Sequence, residues 1–141
     1  MARTEKAGQS AATTPHSRWV DVALWVLAAI LTAVLFVYSF IRAPAIASAF
    51  PNADKVWHFA AFASTASVYL LAAVWRPGRG EGWFPRAAPM IVVGAVAATI
   101  LIELLQGAFF HRDAQALDAV AGSVGTLSAL GVWSIVRAVL R

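Results

Sequence analysis

At 141 residues the chain has room for one domain, and 60% of it is hydrophobic against 13% charged. A soluble domain of this size needs roughly a quarter of its residues charged, so this balance, with a mean hydropathy of +0.71, points to lipid as the solvent. The absence of cysteine excludes disulfides, thiol nucleophiles and Cys-based metal centres. A pI near 10.4 raises nucleic acid as a partner, but the basic residues form no stripe with interleaved aromatics and lie between apolar runs, which argues against it.

Residues Met1 to Ser17 are rich in Ala, Thr, Ser and Gly, carry no apolar periodicity, and read as a disordered tail. Val22 to Ile41 is an uncharged run of twenty residues, about 30 Å as a helix, which matches a hydrocarbon core. Ala45-Ile46-Ala47 and Ala47-Ser48-Ala49 after it resemble signal-peptidase sites. A cleaved signal has an apolar core of only about 7–15 residues, so a retained helix is the expectation. The second run, Val56 to Trp75, is interrupted only by His58. The third begins after Arg86, and its uncharged part, Ala87 to Ile102, would reach only about 24 Å, so the span is expected to continue to Phe110. It then carries Glu103 and Gln106 within it. The fourth is Ala119 to Val136, and no strand pattern appears in the sequence.

The expected organisation is a disordered cytoplasmic tail over residues 1–18, then one all-α integral membrane bundle of four transmembrane helices over 19–137. Its spans lie near 20–41, 56–75, 87–110 and 119–136. Eight of the Lys and Arg residues fall on the side of the two termini and the second loop, and three (Arg42, Lys55, Arg112) on the other. Formal charge is +5 on the first side and −1 on the second. The positive-inside rule therefore puts both termini in the cytoplasm of a multi-pass cell-membrane protein, its inner face suited to anionic lipid headgroups.

With that topology, polar residues converge on the outer face. Asp54 and His58 stand four apart at the start of the second span, one above the other on a helix, and a carboxylate one turn away tunes an imidazole's basicity. Asp54 also fits a helix N-cap. Glu103 and Gln106 share a face of the third span. A carboxylate at such depth costs about 2.5–3.5 kcal/mol unless it is paired, neutralised or hydrated, so it marks a site or a buried pair with Arg112 or Lys55. Arg112 suits bidentate grip of a carboxylate or phosphate, and Asp118 stands at the start of the fourth span, where a cap is the plain reading. Gly122, Gly125 and Ala129 on that span give the small-residue spacing of close helix packing.

The set Asp54-Lys55-x-x-His58, Glu103-x-x-Gln106, then Arg112 with Asp118 six residues later and Gly125 beyond, resembles the VanZ-like membrane protein family. The resemblance covers about residues 20 to 136, with each element on the matching helix. It implies a compact bundle of about four helices with Asp54, Lys55, His58, Glu103, Gln106, Arg112 and Asp118 as its polar signature. It also implies a link to glycopeptide (teicoplanin) resistance at the cell envelope. One departure is Gly122, where family members often have Asn.

Two readings of function stay open. In one, Lys55 and Arg112 hold the anionic headgroup of a cell-envelope lipid while His58 and Glu103, the candidate catalytic pair, move protons. In the other, the cluster is non-enzymatic and pairs helices or docks a partner protein. A metal site from Asp54, His58, Glu103 and Asp118 is a weaker third reading for want of a short His-rich motif, and no cofactor is expected. An ion pathway is disfavoured, since the polar groups stop short of the inner half of the bundle.

Overall fold

The computed structural model describes residues 15–40, 50–74, 83–109 and 115–139. They form four helices: α1 (Pro15–Phe40), α2 (Ala53–Val74), α3 (Trp83–Phe109) and α4 (Ala116–Val139). Strands are absent among the described residues, and every helix is long and apolar enough to cross a membrane. The expected all-α, multi-pass bundle is what the chain forms.

The helix limits differ from the apolar runs at their ends. Helix α1 opens at Pro15, inside the expected tail, since proline suits a first helical position, where its missing N–H would have no intrahelical partner anyway. Residues 1–14 lie outside the described residues. Helix α4 begins at Ala116, three residues before its apolar run, and the Asp118 N–H donates to the Gln115 carbonyl at 2.8 Å. A carboxylate is favourable in a first turn, so the charge that ended the hydropathy signal did not end the helix. Before α2, Asn52 sits at φ 62°, a left-handed conformation that Asn tolerates better than most residues, and its carbonyl accepts from Lys55 and Val56 N–H. Asp54 is thus inside the first turn rather than at the cap.

Helices α2 and α4 run parallel and share the most extensive interface; α3 packs antiparallel against both, and α1 lies at the periphery, mainly on α2. The α2–α4 approach depends on two glycines. A Cβ at Gly125 would land on the Phe59 carbonyl oxygen, and one at Gly122 would fall 2.6 Å from Thr99 Cγ2 and 2.8 Å from Phe62 Cδ2. The expected packing role of this face is borne out. Helix α1 is held by Trp25, edge-on to Tyr69 at 5.7 Å, and by Thr32 Oγ1, 3.0 Å from the Tyr69 hydroxyl. Its outer face exposes Val22, Val26, Ile30, Val34 and Val37, as a lipid-facing helix does.

The two halves of the bundle differ in kind. Where α2 and α4 end and α3 begins, the interior is apolar: Ala66, Leu70, Ala88 and Ala129, with Ile91 and Trp133 against them. In the middle layer, Thr99 and Thr126 are buried, but their hydroxyls donate to carbonyls of their own helices, Val96 and Gly122. Buried charged side chains, Glu103 and Asp118, gather at the other end.

Candidate functional site

That end is built from the first turn of α2, the last two turns of α3 and the first turn of α4. Lys55 Nζ is its most connected group. It lies 3.0 Å from Asp54 Oδ2, 3.6 Å from Asp118 Oδ1 and 3.1 Å from Gln115 Oε1, to which it donates. Lys55 and Asp54 keep about a quarter of their side-chain surface exposed, 22% and 26%, so they form the rim.

Below the rim, His58 Nε2 stands 3.8 Å from Asp118 Oδ2. The carboxylate facing the imidazole therefore comes from α4, across the helix interface. Asp54, one turn before His58 on the same helix, turns to Lys55 instead. Asp118 is 5% exposed, and its other oxygen, Oδ1, is out of reach of solvent and accepts no hydrogen bond among the described residues. It is the third residue of its helix and looks across to α2, so capping does not account for it.

Glu103 is 6% exposed, and its Oε2 accepts the Gln115 backbone N–H at 3.1 Å. One ligand atom each from His58, Glu103 and Asp118 lies within 4.8 Å of the other two. Three helices thus converge on one small volume. Its floor is apolar: the Phe62 ring lies nearly parallel to the His58 ring, 14° between planes, with Thr99 and Gly122 beside it.

Of the residues singled out in the sequence, Asp54, Lys55, His58, Glu103 and Asp118 come together here. Gln106 is buried on the Glu103 face of α3, but its amide donates to the Ser39 carbonyl at the end of α1, so it ties α1 to the bundle. Arg112 lies outside the described residues. Gln115 is the participant the sequence did not single out: its side chain holds Lys55 and its backbone N–H holds Glu103. Nothing separates it in the sequence from the other polar residues of a short loop. An amide side chain at position 122 would require Thr99 Cγ2 and the Phe62 ring to shift, since a Cβ at Gly122 falls 2.6 and 2.8 Å from them.

Fold and site together define a multi-pass membrane protein of four helices with a largely buried polar cluster at one end. Set against known proteins, the chain matches no family model, no curated protein and no solved structure.

Proposed function

We propose that the protein is VanZ-like and that its polar cluster, at the outer membrane face, binds the anionic headgroup of a cell-envelope lipid. The observation that carries this reading is the convergence of Lys55, His58, Glu103 and Asp118, from three helices, at one end of a bundle whose interior is apolar at the other. Two carboxylates inside a membrane domain are expensive to keep, and lipid offers them no hydrogen bonds. A site that receives a polar ligand accounts for that cost and for its one-sidedness. Lys55, on the rim, meets a phosphate from the water side, and Arg112 stands in the sequence between α3 and α4, four residues before Ala116. The link to glycopeptide resistance follows from the resemblance alone.

The test is lipid binding. The protein is placed in nanodiscs of zwitterionic lipid, and an anionic phospholipid or a polyprenyl phosphate is titrated in. Saturable binding that Lys55→Gln and His58→Gln weaken supports the reading; equal retention by wild type and both variants overturns it.

One observation favours a second reading, in which the cluster only joins helices. His58–Asp118 and Lys55–Asp118 both bridge α2 and α4, and Gln106 bridges α3 and α1. Under that reading the contacts set which helices pack together and no ligand enters.

A further inference from the structure

We infer that His58, Glu103 and Asp118 form a binding site for one divalent transition-metal ion, with Zn2+ the fitting occupant. The inference deepens the headgroup reading and rests on it for the ion's role: the ion is the group that receives the lipid's phosphate oxygen.

Geometry comes first. The three donor atoms lie within 4.8 Å of one another and come from three different helices. Donors about 2.1 Å from a shared Zn2+ are themselves separated by roughly 3–4 Å, so movements under about 1 Å close the site. Imidazole with two carboxylates is a donor set that Zn2+ accepts, and three protein ligands leave a position open for an exogenous oxygen.

Charge is the second observation. This end of the bundle holds three carboxylates, Asp54, Glu103 and Asp118, and among the described residues one ammonium, Lys55. With His58 neutral, a divalent ion brings the group to neutrality. An anionic headgroup entering without such an ion would meet two inward carboxylates at close range, which is repulsive at low dielectric.

The third observation is the coordination of Asp118. Asp118 Oδ1 is solvent-inaccessible and accepts no hydrogen bond among the described residues; it is ion-paired with Lys55 Nζ at 3.6 Å, a charge that Lys55 shares with Asp54 at 3.0 Å. A buried carboxylate oxygen left this way costs free energy unless something coordinates it. Ligating carboxylates are commonly fixed from behind, and the Gln115 N–H does this for Glu103. The Phe62 ring, nearly parallel to His58, gives the site an apolar neighbour on that side.

Metal uptake tests this without reference to lipid or activity. The full chain, purified in detergent and stripped with chelator, is dialysed against Zn2+ or Co2+. Bound metal is counted by mass spectrometry, and Co2+ is read by its visible absorption. One equivalent per chain is expected in the wild type, and loss of at least tenfold in affinity in His58→Gln, Glu103→Gln and Asp118→Asn. Substoichiometric uptake by the wild type, or undiminished uptake by the three variants, overturns the inference and leaves a His58–Asp118 ion pair. Should those variants misfold, His58→Cys decides: a thiolate-to-cobalt charge-transfer band supports the site, and its absence sinks it. No metal uptake with lipid binding intact removes the ion alone. Metal uptake without lipid binding removes the headgroup reading and keeps the ion.

Discussion

His58 Nε2 and Asp118 Oδ2 face each other at 3.8 Å across the parallel α2–α4 interface, at the border between charged rim and apolar floor. A contact of this kind serves packing, chemistry or both, and exchanging the two residues separates the cases. His58→Asp alone sets two carboxylates against each other, and Asp118→His sets two imidazoles; each is expected to lose about 1–3 kcal/mol of stability in detergent. The double exchange restores an imidazole–carboxylate pair and should recover much of that stability. It also moves the imidazole to α4, away from its place beside Lys55, so headgroup binding should stay lost. Recovery of stability and binding together would assign the pair to helix packing.

The glycines of α4 give a prediction about the fold alone. Gly125→Ala places a methyl group on the backbone of Phe59, which cannot move without shifting α2, and should destabilise by about 1–3 kcal/mol. Gly131 has nothing within 4 Å of its Cβ position, so Gly131→Ala is expected to be neutral or stabilising by up to about 1 kcal/mol. Thermal unfolding of both variants in one detergent checks the contrast. Equal midpoints would mean that α4 does not approach α2 this closely.

The same region bears on the proposed VanZ-like reading. Gly122→Asn would bring an amide side chain into space held by Thr99 Cγ2 and the Phe62 ring. Phe62 is the floor under His58, so the variant is expected to lose stability and to weaken ligand binding together. A ligand-binding gain without loss of stability would show that Phe62 yields and that the amide belongs in the site.

Much of this was legible in the sequence, and the reasons differ by feature. The four helices were visible because twenty-residue apolar runs have one stable form in lipid. Glu103 and His58 stood out because ionisable groups inside such runs are costly. The Gly122–Gly125 face was readable from small-residue spacing, though not its partner, since spacing carries no direction. Pairing was not legible. Asp54 is nearer His58 in sequence, yet Asp118 faces the imidazole, because Lys55 beside Asp54 captures that carboxylate at 3.0 Å. Gln106 looked like a member of the site, and only tertiary contact reveals its bond to Ser39.

Glu103 supplies a sharper functional prediction. Its Oε2 accepts the Gln115 N–H, an interaction that the carboxamide of Glu103→Gln can keep through its carbonyl oxygen. The variant should therefore insert and fold, with a unimodal size-exclusion profile and unfolding within about 1 kcal/mol of wild type. With Zn2+ present, headgroup binding should nonetheless fall at least tenfold, about 1.4 kcal/mol. Wild-type affinity in this variant would remove Glu103 from any ligand role.

Orientation decides which leaflet the cluster meets. The end holding Lys55, His58, Glu103 and Asp118 is the end from which α2 and α4 start, so it shares a membrane side with the segment joining α1 to α2. Eight Lys and Arg residues flank the opposite side and three flank this one, and the translocon retains the richer side in the cytoplasm. The chain has no native cysteine, so single thiols report without background. Ser48→Cys, between α1 and α2, should react with a membrane-impermeant maleimide on intact cells, and Arg79→Cys, between α2 and α3, only after permeabilisation. The reverse pattern would turn the cluster to the cytoplasm. An outer-leaflet lipid could not then be its ligand, whatever the site binds in detergent. The labelling result thus constrains the function independently of any mutation in the site itself.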